Sequence, residues 1–145
     1  MSLPKPEAGL VIRYSYLWHR EYLEGRDEGS KDRPCAIVLA VQAGEIGEHV
    51  LVVPVTHAEP VPPTLGLELP QNVKRHLGLD DARSWVIYSE SNVFRWPGPD
   101  LRRLPGQGNE SVAYGFLPPR FFAELRRRLV SLEATSRARR VTRSE

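Results

Sequence analysis

Two aliphatic runs, Cys35-Ala36-Ile37-Val38-Leu39-Ala40-Val41 and Val50-Leu51-Val52-Val53-Pro54-Val55, set the strongest constraint on the fold. Each reads as a strand. The connector Gln42-Ala43-Gly44-Glu45-Ile46-Gly47-Glu48 carries two glycines, which permit the positive φ values of a wide hairpin connection. The two runs are therefore expected in antiparallel contact, and the rest of the chain has to pack around them.

Other segments continue the pattern of short strands. Leu10 to Leu17 follows Gly9 and is rich in β-branched and aromatic residues, as a first strand should be. The polar stretch from Trp18 to Asp32, with Gly25 and Gly29 inside it, reads as a long loop. Pro60, Pro62 and Pro63 forbid both helix interior and central strand, so residues 58–64 should be an extended connection. Leu65 to Leu69 alternates like a half-buried edge strand and ends at Pro70. Gln71 to Leu77 suits a short helix or turn closed by Gly78. Ser84 to Glu90 returns to strand character, Val93 to Trp96 continues it after a bend, and Pro97-Gly98-Pro99 breaks the pairing. Ser111 to Leu117 reads as a last short strand.

One helix is well signalled. It begins after Pro118-Pro119 and lays Phe121, Phe122, Leu125, Leu129 and Leu132 along one stripe that must pack on the sheet. Beyond Ala134 the sequence has too little apolar content to stay docked, and fraying is expected. The expected fold class is mainly β (α+β): a small, strongly curved antiparallel sheet or barrel with a C-terminal α-helix. A single domain would span residues 1–134, with a basic, flexible tail over 135–145.

With 145 residues, 41% of them hydrophobic, one domain can bury a modest core without metal or disulfide staples. Cys35 is the only cysteine and sits among aliphatic residues, as an inert buried thiol would. No apolar stretch approaches the ~18 residues of a membrane span, and Met1 to Pro6 lacks the apolar core of a signal peptide. A cytoplasmic protein without membrane contact is expected. The net charge of +2 is unevenly spread: from Arg120 onward there are eight arginines against three glutamates. Such a tail suits a polyanion, although Arg126-Arg127-Arg128 reads more simply as a solvated helix face, because consecutive residues cannot all face one partner.

No Walker loop, Gly-x-Gly-x-x-Gly, zinc-type cysteine pair or His-Glu-x-x-His is present, and His19, His49, His57 and His76 are scattered. No metal and no cofactor are expected. Ser30 and Ser84 lack the context of a nucleophile elbow.

The remaining chemistry is acid, base and cation on loops. The charged loop Glu28-Gly29-Ser30-Lys31-Asp32-Arg33-Pro34 opens the first aliphatic strand, and the second ends at Thr56-His57. Metal-free RNA cleavage needs a proton acceptor for the 2′-hydroxyl, a proton donor for the leaving oxygen, and positive charge or donors on the phosphorane. Arg33 stays protonated at any working pH, so transition-state stabilisation suits it better than acid catalysis. Thr56 can donate to a phosphate oxygen. Glu28, His57, His19 and Glu90 are candidate bases, and the sequence does not choose among them. Trp18 and Trp96, flanked by His19, Arg20 and Arg95, suit either core packing or stacking on unpaired bases, whereas Trp85 belongs to the core. Plainer roles exist as well: an ion pair of Arg33 with Asp32 or Glu28, and a local backbone hydrogen bond for Thr56.

Gly9-Leu10-Val11-Ile12, an acidic loop, Arg33-Pro34 opening an aliphatic strand, and Val52-Val53-Pro54-Val55-Thr56 occur in that order. This arrangement resembles the PemK/MazF family of toxin endoribonucleases from toxin-antitoxin modules, over most of Gly9 to Leu132. The family loop commonly reads Gly, any residue, Glu-Gln, a short gap and Arg-Pro, and its strand-end hydroxyl lies beside the Arg. Glu28, Arg33 and Thr56 match and are the implied catalytic residues; Trp18, His19, Lys31, His57, Glu90 and Arg95 are the expected substrate-binding ones. Gly29 stands where the family Gln is common, and Trp18-His19-Arg20-Glu21-Tyr22 is an unusual stretch. A family Asp-Gln then Arg-Thr appears here as Glu90-Ser91 then Asn92-Val93, which leaves Arg95 as the stand-in for that Arg.

The resemblance implies an SH3-like barrel of the MazF/PemK/CcdB kind, usually a homodimer. It also implies metal-independent cleavage of single-stranded RNA such as mRNA, and restraint by a cognate antitoxin. Two other classes fit the same residues: a related-fold toxin acting on a protein target such as gyrase, and a non-catalytic SH3-like binding module.

Overall fold

The structure, a computed structural model, describes residues 3–29, 31–42, 47–106, 111–135 and 137–143. Its centre is the expected hairpin. β2 (Arg33–Gln42) and β3 (Glu48–Thr56) pair antiparallel from Cys35↔Pro54 to Gln42↔Glu48, with a register shift between Ile37 and Leu39. Connector residues 43–46 lie outside the described residues, as does Ser30 in the charged loop.

β1 (Leu10–Tyr14) lies on the outer edge of β2, and β7 (Ala113–Phe116) on β1. The opposite edge of β3 is shared. β5 (Trp85–Ile87) takes its Thr56 end and β6 (Glu90–Arg95) its His49 end, while β4 (Gly66–Glu68) forms an edge beyond β5. The sheet is mainly antiparallel, and its pairing runs out at its edges without closing on itself.

The runs are apolar without alternation where both faces are covered, from Cys35 to Val38 in β2 and from Val50 to Val55 in β3, so alternate side chains enter opposite cores, while Leu39 and Val41 are exposed. Val11, Ala36, Val38, Leu51, Val53 and Val55 pack under α3 (Pro119–Ala134), which contributes Leu125, Leu129 and Leu132. Burying each leucine contributes roughly 1.5–3 kcal/mol. The intervening Leu10, Ile12, Cys35, Ile37, Val50 and Val52 pack against an aromatic group of Tyr14, Tyr16, Trp18, Trp85 and Phe94. Cys35 is fully buried, and desolvation pushes its thiol pKa up, so it stays a neutral thiol. α2 (Gln71–Leu77) ends at Gly78, whose φ of 70° is the left-handed cap conformation.

Three expectations are corrected. The first strand stops at Tyr14, where Ser15 N–H turns to Asp100 O. The long loop contains a short helix, α1 (His19–Leu23), whose buried Glu21 accepts the Trp18 backbone N–H at 3.1 Å and an Arg26 guanidinium N–H at 2.9 Å. The tail does not fray at its described residues. Arg139–Thr142 forms β8, parallel to β6, with Val141 1% exposed and the Arg143 guanidinium buried behind it. Strand pairing with β6, the buried Val141 and the buried Arg143–Asp100 ion pair dock it together.

Candidate functional site

The register Cys35↔Pro54 and Ala36↔Val53, carried to the start of β2, sets Arg33 opposite Thr56. Pairing of Thr56 with Trp85 fixes the end of β3 from the other side. Arg33, Thr56, Lys31 and His57 consequently line one cavity of about 360 Å³, together with Asp32, Asp80, Ser84 and Tyr114. Four of the nine expected site residues are thus gathered by hairpin geometry alone.

Arg33 is 7% exposed. Its guanidinium makes one long hydrogen bond, Nη1 to Val55 O at 3.4 Å, lies 5.0 Å from the centroid of the Trp18 ring, and leaves Nε without a partner. Burial lowers its pKa, but from so high a value that the group stays cationic. Arg33 forms no ion pair with Asp32 or Glu28. Asp32 instead faces Arg13 at 3.9 Å and Arg102 at 3.5 Å.

Trp18 is 8% exposed, edge-on to Tyr16, and carries Arg20 as well, at 5.4 Å. Its ring is therefore already contacted by two guanidiniums and is not an open stacking platform. Trp85 is buried as expected; Trp96 is partly buried against Phe94.

At the mouth, Thr56 Oγ1 accepts the Ala58 N–H at 3.1 Å, the local turn anticipated as its plainer role. A hydroxyl that accepts one bond keeps its proton for another acceptor. His57 Nε2 lies 3.1 Å from Asp80 Oδ1. Asp80 Oδ1 also takes the Ala82 N–H, and that turn is fastened by the buried Lys74, whose ammonium donates to Ala82 O. The His57–Asp80 pair was not visible from sequence, since it joins residues whose proximity depends on α2.

The other expected residues fall elsewhere. Glu28 is exposed, lies outside the lining of this cavity, and makes no hydrogen bond or ion pair among the described residues. Arg95 pairs with His49 at the opposite end of β3, seven residues from Thr56, or ~23 Å along a strand. His19 and Glu90 meet on the far side of Trp18. Glu90 Oε1 accepts the Tyr16 hydroxyl at 3.1 Å and the His19 backbone N–H at 2.9 Å, and burial raises its pKa against those bonds.

Positioning falls to two residues outside the nine expected for the site. Asn92, fully buried, accepts Leu17 N–H at 2.9 Å and donates to Leu17 O at 2.8 Å, so it fixes the backbone just before Trp18. Gly29 packs so closely that a Cβ there would lie 2.2 Å from Tyr16 O. Only glycine fits that approach.

Among the described residues no group of three or more His, Cys, Asp or Glu side chains is placed to hold a metal ion, and no helix is long and apolar enough to cross a membrane. Comparison of the chain with known protein families, with curated proteins and with solved structures finds no match.

Proposed function

We propose that this chain is a metal-independent endoribonuclease of the PemK/MazF kind, built as an SH3-like barrel. It cleaves single-stranded RNA by attack of a ribose 2′-hydroxyl on the adjacent phosphate. In this reading it is a cytoplasmic homodimer held in check by a cognate antitoxin. The observation that carries the proposal is the cavity shared by Arg33, Thr56, Lys31 and His57, with Arg33 buried and its Nε unpartnered.

A phosphodiester in that cavity supplies the anion that Arg33 lacks. Arg33 offsets charge developing on the phosphorane, an effect worth ~10²–10³ in rate for one well-placed donor. The Thr56 hydroxyl donates to a non-bridging oxygen while its oxygen keeps the Ala58 N–H. With Nε2–H donated to Asp80, His57 presents Nδ1 as proton acceptor for the 2′-hydroxyl. The O2′–P bond forms, the P–O5′ bond breaks, and the departing O5′ takes a proton from water. The products are a 2′,3′-cyclic phosphate and a 5′-hydroxyl. Lys31, exposed at the rim, attracts the backbone.

The test is incubation of the full chain with long single-stranded RNAs in EDTA, with mapping of cut sites and mass analysis of the 3′ ends. Cyclic phosphate ends, and at least a hundredfold slower cleavage by a folded Arg33→Ala variant, are expected. Intact RNA with folded protein across varied sequences overturns the proposal and favours a toxin or binding module directed at a protein.

A further inference from the structure

A second cavity, of about 520 Å³, lies on the other side of Trp18 and is lined by His19, Arg20, Ser89, Glu90, Arg137 and Arg139, among others. It exists because the tail docks. Arg139 N–H donates to Ser89 O at 2.9 Å, and the parallel register sets Arg139 beside Glu90, while α1 brings His19 and Arg20 from the opposite side.

Its guanidiniums converge on one concavity, whereas most arginines of the C-terminal basic region are paired. Arg127 and Arg128 share Glu124, Arg140 pairs with Glu133 at 2.7 Å, and Arg143 pairs with Asp100 at 2.9 Å. Arg20, Arg137 and Arg139 have no side-chain hydrogen bond or ion pair among the described residues; Arg20 stacks on Trp18 and feels Glu90 only at longer range. The one carboxylate in the lining, Glu90, has Oε1 committed to Tyr16 and His19. His19 Nδ1 is buried without a partner. Three unmatched guanidiniums in a concavity of this size, beside apolar Leu23 and Pro63, suit a phosphate with its attached nucleoside.

We propose that this second cavity binds a phosphodiester of the single-stranded RNA away from the point of cleavage, so that the strand passes over Trp18 from Arg33 to Arg20, Arg137 and Arg139. This rests on the reading of the first cavity as an RNA site. The tail is then part of the substrate groove and fixes the length of strand the protein prefers.

The test uses the full chain and a labelled 2′-O-methyl oligonucleotide, which cannot be cleaved, with binding read by fluorescence anisotropy over a salt series. Arg137→Ser/Arg139→Ser is compared with Arg75→Ser/Arg126→Ser, which removes the same charge from exposed positions outside the cavity. The cavity variant should bind at least about tenfold more weakly, with a salt dependence shallower by ~0.7 for each phosphate no longer neutralised, and should raise KM for cleavable RNA without changing kcat. The control variant should stay near wild type. Equal weakening by both variants, or by neither, overturns the inference while leaving cleavage at Arg33 intact. Cavity-dependent binding with no cleavage of any RNA by the wild type supports the second site and overturns the first reading instead.

Discussion

Two arginines are almost equally buried on either side of the Tyr14–Trp18 segment, and they are treated oppositely. Arg143 is 6% exposed and spends its donors on Tyr14 Oη, Ser15 O, Asn92 Oδ1, Asp27 O and the Asp100 carboxylate. Arg33, at 7%, has one 3.4 Å bond, an aromatic face and an orphaned Nε. A buried cation with its donors satisfied and a carboxylate beside it is a structural tie. One left short of partners keeps donors that an anion from outside can take, which is the role proposed for Arg33. Arg143 joins the docked tail to the start of the charged loop at Asp27 and to Asn92, which in turn fixes Leu17, so the tie holds the ground on which Arg33 and Trp18 stand.

The two arginines should separate most widely in stability. Arg143→Ala should cost about 3–5 kcal/mol in urea denaturation, because Asp100 and several buried acceptors are left unpaired together. The corresponding change at Arg33 should behave in the reverse sense. Arg33→Met is expected to leave stability unchanged or raise it by up to ~2 kcal/mol, since an uncompensated charge is replaced by apolar volume. Arg33→Ala should slow RNA cleavage at least a hundredfold. Equal stability losses at the two positions would erase the distinction.

Gly29→Ala probes the same pair from the loop side. The new methyl would collide with Tyr16 O and displace the loop that carries Lys31, for an expected loss of ~1–3 kcal/mol, read by thermal unfolding alongside cleavage rate. The smallest effect concerns pH. Burial raises the Glu90 pKa above its unfolded value, so the folded state holds that proton more tightly. Its contribution to stability is full below the ordinary glutamate range and declines as pH rises from about 4.5 through the raised value. Glu90→Gln should flatten that limb in a series of urea midpoints, and an unchanged slope would show that Glu90 does not set it.

The hairpin was legible because both of its faces are buried at the end that carries Arg33 and Thr56, which replaces alternation there with continuous aliphatic sequence, although Leu39 and Val41 farther along are exposed. α2 and α3 were legible from Gly78 and from the leucine stripe. α1 was not, since Tyr22 and Leu23 are exposed and Glu21 holds it through a polar contact with no apolar period. The docking of the tail was hidden for a related reason: Arg143 finds its partners at residues 14, 15, 27, 92 and 100, none of them near in sequence. His57 was visible as a candidate, but its pairing with Asp80 depends on where α2 ends. Arg95 follows Glu90 closely in sequence, yet the direction of β6 carries it to the far end of β3.

If the Arg33 guanidinium awaits a phosphodiester whereas that of Arg143 is already spent, the two must respond differently to RNA. Nitrogen-15 NMR of the arginine Nε–H groups, during titration with an uncleavable 2′-O-methyl oligonucleotide, reads them side by side. The Arg33 Nε–H resonance should shift and saturate with binding while that of Arg143 stays in place. An unmoved Arg33 resonance on an RNA-saturated protein would mean that Arg33 is not the phosphate's partner.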